Sequence, residues 1–125
     1  MNTRVTVQNG ANHGLSRRET ERLLRHIPAS WCRDVTTVAI SEHAEPAFSC
    51  AYFAKEKTLG VFWPSARYLQ PTKVEAAEAV LVAISIVAER GELPKRIGSS
   101  LHSDHRKRTA DLLRKYLNEM EGHAT

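Results

Sequence analysis

Two cysteines in 125 residues are too few to staple a fold. Cys32 and Cys50 belong to no CxxC or CxxH arrangement, so no zinc module is signalled, and they read as buried or half-buried thiols of a reducing compartment. A disulfide between them stays open at this level. The chain also lacks an apolar stretch of membrane-spanning length. Its longest, Ala79–Ala88, is broken only by Ser85, whereas a spanning helix needs roughly 20 apolar residues. Residues 1–14 are polar and carry no signal-peptide core, so a cytoplasmic protein with no membrane partner is expected. GxSxG, a Walker loop, GxGxxG and HExxH are all missing, which removes the short signatures by which most small enzymes announce their chemistry. No internal repeat or low-complexity tract is present.

What is there is ordinary globular material: 42% hydrophobic and 26% charged residues. At this length one domain, 1–125, is expected, with residues 1–14 partly flexible. The net charge of +4 is unevenly placed. Residues 1–34 hold six arginines against three acids, residues 35–94 five bases against seven acids, and residues 95–125 seven bases against four acids. Both ends are basic and the middle is mildly acidic, a pattern that concerns partners rather than fold.

Helix signals are clear. Ser16 with Glu19 forms a capping box, Leu15 is placed as a staple, and Pro28 follows a helix whose face carries Leu23, Leu24 and Ile27. Trp31 in the next loop is expected to lid the core. Thr72 with Glu75 opens a second helix over about 72–90, which Gly91 and Pro94 close. Being apolar on nearly every side, it must be buried on nearly every side. A last helix over about 103–120 repeats apolar positions at three- and four-residue spacing through Thr109, Leu112, Leu113, Tyr116, Leu117 and Met120. Between the first two helices, residues 35–40, 48–53 and 59–63 read as strands, the last two joined by the charged hairpin turn Lys55–Thr58. Leu59, Val61 and Trp63 fall on one face, Gly60 and Phe62 on the other. Val5 and Val7 suggest a further, initial strand.

Two clusters carry possible chemistry. His102 and His105, with Asp104 between them, place two imidazoles on neighbouring sides of one helical turn. A divalent metal there would need a third ligand, and His43 and Glu45 before the hairpin are the free candidates. The competing reading packs both histidines at a helix start capped by Ser103, because their spacing to Thr109 extends the inward stripe. No cofactor is expected. The second cluster is basic: Lys95, Arg96, Arg106, Lys107, Arg108, Arg114 and Lys115, against Asp104 and Asp111. Such a stripe can neutralise phosphates or simply form a solvated face, and no aromatic residue interleaves with it to stack on bases.

The element order, with an acid-capped central helix and a downstream amphipathic helix, resembles the small zincin-like metallopeptidase scaffold. That family carries HExxH on its central helix, whereas Val82–Val87 here holds neither His nor Glu. The resemblance implies a scaffold without the chemistry, with His102 and His105 near the place of a downstream ligand. The run of helix, three strands and helix also looks like a double-stranded RNA-binding domain. That family grips phosphate with lysines at the start of its second helix, where this chain offers Lys73 alone before Glu75 and Glu78.

The expected fold is α+β, a small antiparallel sheet of three to four strands packed on the central helix, with two flanking helices. The expected function is a non-enzymatic binding or adaptor protein acting through a protein partner or self-association. The alternative is a nucleic-acid-associated protein using the basic C-terminal helix. A metal-dependent hydrolase centred on His102 and His105 stands third.

Overall fold

The capping signals form as the sequence requires. In a computed structural model that describes residues 3–7 and 15–124, the Glu19 N–H donates to Ser16 Oγ at 3.0 Å, and the Ser16 N–H donates back to Glu19 Oε1 at 3.0 Å. This box opens α1 (Arg17–Arg25), with Leu15 buried just before it. At the second helix, α2 (Lys73–Arg90), only half the box closes. Thr72 Oγ1 accepts from the Glu75 N–H, while the Glu75 carboxylate takes the Thr72 hydroxyl instead of the backbone. Gly91 ends α2 in the left-handed region at φ +73°, donating its N–H to Val87 O at 2.7 Å.

Four strands make one sheet: β1 (Arg4–Val7), β2 (Thr37–His43), β3 (Ser49–Phe53) and β4 (Thr58–Pro64), ordered β1-β2-β4-β3. The class is α+β, as expected, but the sheet is mixed rather than antiparallel. β1 pairs with β2 and β2 with β4 in parallel, and only the β3–β4 hairpin is antiparallel. The reason lies in which strands are most apolar. β2 and β4 bring Val38, Ile40, Leu59, Val61 and Trp63 to the core, so they sit side by side in the middle. The more polar β3 goes to the edge, and the hairpin then returns β4 parallel to β2. The polar segment expected as loop from Ser41 is strand as far as His43.

Register assigns the two faces. Val5, Val38, Leu59 and Tyr52 form one row, and Val7, Ile40, Val61 and Cys50 the next, all facing the core. The opposite face carries Arg4, Thr37, Thr58 and Phe53, then Thr6, Ala39, Gly60 and Ala51, then Ser41, Phe62 and Ser49. The core cluster joins the first face to α1, α2 and α3 (Ser99–Ala124), and no side chain of the second face belongs to it. In α2, residues 80–87 are all buried, Ser85 included.

Trp31 sits in a single 3₁₀ turn, Ala29–Arg33, and packs into the core as expected. The last helix starts at Ser99, four residues before the expected cap at Ser103, and its first helical bond runs from the His102 N–H to Gly98 O. Of the segment expected to be partly flexible, residues 1, 2 and 8–14 lie outside the described residues. Among the described residues no helix is long and apolar enough to cross a membrane.

Candidate functional sites

α3 packs along α2, and this packing decides what the two histidines do. His105 is buried, and its Nδ1 lies 2.7 Å from Ser85 Oγ, also buried, on α2. Its Nε2 is 3.6 Å from Glu89 Oε2, and the same carboxylate oxygen meets Arg108 Nη1 at 3.3 Å. Serine, histidine and an acid thus stand in line, the inventory of a hydrolytic triad. The line is closed to substrate, however, because the Ser85 side chain has no exposed surface. With its hydroxyl committed to an imidazole between two helices, Ser85 is a strut, not a nucleophile. Sequence spacing alone did not reveal this link, though a lone serine in an apolar run facing a histidine stripe is the signal that could have.

His102 goes elsewhere. One turn earlier on α3, it lines a cavity of about 240 Å³ together with Cys50, Val82, Ala83, Lys95 and Ile97. The two imidazoles therefore serve different surroundings. Neither His43 nor Glu45 joins them: His43 Nε2 lies 2.6 Å from Ala47 O, its ring stacked on Phe62 at 5.8 Å, and Glu45 is exposed in the loop. Among the described residues no group of three His, Cys, Asp or Glu is placed to hold a metal ion. Cys32 and Cys50 are both free thiols. Burial pushes the Cys50 thiol up to about 12, which leaves it protonated and poorly nucleophilic at neutral pH.

The basic cluster is partly consumed by the fold. Arg106 pairs with Glu78 at 3.4 Å. Arg108, besides meeting Glu89, lies over the Trp31 ring at 4.6 Å from its centroid. Arg114 pairs with Asp111 on its own helix. Lys95, Arg96, Lys107 and Lys115 are exposed and divided between the α2–α3 linker and the outer side of α3. Lys107 and Lys115 are about 12 Å apart along the helix axis. Asp104 and Asp111 are exposed on the same helix, so the field is diluted rather than concentrated.

The surface missed by sequence reasoning is the second face of the sheet. Phe53 is 46% exposed and Phe62 half-buried. Both rings reach over Gly60, where an added Cβ would come within 2.9 Å of Phe62 and 3.0 Å of Phe53. Glycine at this position lets two aromatic rings settle on bare backbone. Around them lie the small side chains Ala39 and Ala51 and the hydroxyls of Thr37, Thr58, Ser41 and Ser49. Arg4 at one edge and Lys55 and Lys57 in the hairpin are exposed, against Glu56 in the hairpin and Glu45 in the loop after His43. The result is an apolar centre with a polar, net positive border. Period-two alternation placed Gly60 and Phe62 on this face and the expected hairpin sets Phe53 beside them, while the parallel pairing of β1 with β2 adds Arg4 and Thr6.

No protein-family model, curated protein or solved structure matches this chain.

Proposed function

We propose that this chain is a non-catalytic binding protein that docks a protein partner on the open face of its sheet. The observation that carries this reading is the aromatic pair Phe53 and Phe62, set over Gly60 on a face that contributes nothing to the core. Exposed apolar surface with a polar border is the composition of a contact patch. The border selects among occupants. Arg4, Lys55 and Lys57 outweigh Glu56 and Glu45, so two copies meeting through this face would oppose a net like charge. A partner with an apolar knob edged by carboxylates meets no such repulsion and is the occupant we favour over self-association.

Size bears on the kind of complex. Four strands about 4.8 Å apart, with about five residues each, offer a face on the order of 300 Å². A standard interface takes about 800 Å² from each partner. The partner therefore reaches beyond the strands onto the border, or binds transiently, and either suits an adaptor. The reading takes the protein to be cytoplasmic.

A photo-crosslinking residue at position 53 tests it, with position 115 on α3 as the control. The expected result is a specific adduct from position 53 alone, whose purified partner binds wild type and loses at least tenfold in affinity with Phe53→Ala. Partner binding that survives Phe53→Ala and Phe62→Ala together would defeat the proposal. Sedimentation of the isolated protein separates the other occupant, since a dimer dissolved by Phe53→Lys would assign the face to a second copy.

A further inference from the structure

Beyond the docking face, the cavity beneath the α2–α3 linker has the makings of a second site. Its reachable walls are apolar, built by Phe48 before β3, Ala79 of α2 and Pro94 and Ile97 of the linker over the buried Val82 and Ala83, and Cys50 contributes a thiol kept neutral by burial. Its basic groups stand beside the Ser49 hydroxyl. Lys95 and His102 both line it, and no acidic residue does. Among the described residues Lys95 forms no ion pair, unlike Arg106, Arg108 and Arg114 on the neighbouring helix. The lining residues Ile97 and His102 bracket the first turn of α3, where the helix dipole adds to the positive potential. At about 240 Å³ the space is smaller than the roughly 300–1,000 Å³ of sites for drug-sized ligands, so its occupant is small.

We infer that this cavity binds a small amphipathic monocarboxylate, its short hydrocarbon chain on Phe48, Ala79, Pro94 and Ile97 and its carboxylate facing Lys95 and the His102 ring. One cation and one imidazole match a single carboxylate better than a phosphate, which would seek several donors. An apolar floor of this size disfavours an anion without a tail. Lys95 and His102, separated in sequence reading between a phosphate-binding stripe and a metal pair, meet here in one site.

The test is a titration of isotope-labelled protein with sodium hexanoate, hexanol and sodium acetate, followed by amide shifts. Hexanoate is expected to shift Cys50, Val82, Ala83 and His102 saturably, with hexanol and acetate each about tenfold weaker or more, as the loss of a charge-assisted bond or of tail burial requires. Lys95→Met keeps the apolar stem and removes the charge at an exposed position, so it should melt like wild type and bind hexanoate no better than hexanol. Ile97→Ala should weaken hexanoate and hexanol alike. Absence of saturable shifts with hexanoate up to about 20 mM would overturn the inference. So would equal binding of hexanoate and hexanol, or hexanoate affinity unchanged in Lys95→Met.

Discussion

At the scale of single residues, the link between Ser85 and His105 is a fully buried polar contact that ties α2 to α3. It lies where α2 is otherwise filled with Val, Ile and Ala, and both partners are buried. Removing one member strands the other away from water, whereas replacing both with apolar groups strands neither. Ser85→Ala is expected to cost about 1–3 kcal/mol in chemical denaturation, and the double variant Ser85→Ala/His105→Leu less than the sum of the two single changes. Strictly additive costs would show that the two side chains do not meet. A neighbouring position gives the extreme case. Ile84 is 1% exposed, and Ile84→Asp would bury a charge with no partner, at a cost of several kcal/mol against a total stability of roughly 5–15 kcal/mol. No folded protein should be recovered, and a cooperative melt near that of wild type would mean that this face of α2 is not the core.

At the scale of elements, helix ends separate backbone strain from packing. Gly91 closes α2 with a positive φ, and nothing lies within 4 Å of where its Cβ would stand. Gly98 has equally open surroundings without the positive φ. Gly91→Ala should therefore cost about 1 kcal/mol from its positive φ, while Gly98→Ala, with no positive φ but at the N-cap of α3, should cost a smaller amount through the poorer cap, as thermal melts of the two variants would show. Local signals of this kind made the elements legible in the sequence: Ser16 with Glu19, Thr72, Gly91 and the charged hairpin all act where they stand. Strand order was not legible. It depends on which strands compete for the centre, and the sequence of β3 looks no less strand-like than that of β4. The candidate sites suffered more. His102 and His105 were paired by spacing, yet their helix sends one ring into a cavity and the other into the core. Ion pairs that consume Arg106 and Arg108 come from Glu78 and Glu89 on another helix, which no local pattern announces.

For the whole molecule, charge and protonation are the quantities that summed structure controls. The net charge of +4 and a basic C-terminal third keep weak nucleic-acid association in view. With three of the seven cations of residues 95–115 held in ion pairs, retention on a nucleic-acid column should be weak at about 50 mM salt and gone at about 200 mM. Tight retention at 200 mM that Lys107→Glu/Lys115→Glu abolishes would restore the basic helix as the functional surface. Alkaline pH is the sharper probe of the fold itself. Burial raises the Cys50 thiol from 9.0 to about 12. Burial raises the Tyr116 hydroxyl from 10.0 to about 12 as well, with the Glu19 and Glu119 carboxylates adding to the rise and Arg22 opposing it. Both groups lose a proton more readily in the unfolded chain than in the folded one. The unfolded state thus binds fewer protons between about pH 9 and 12, and by linkage the unfolding free energy, and with it the stability, falls as pH rises through that window. Below pH 9 this contribution is fully present. Melting temperature should hold between pH 7 and 8.5 and then drop steadily, with Cys50→Ala removing part of the slope. A thiol reagent applied at pH 8 should modify native Cys50 slowly, because its thiol, although it lines the cavity, stays protonated there. Rapid modification of Cys50 at that pH would mean that its thiol is not held protonated, and the alkaline slope would then have to rest on Tyr116 alone.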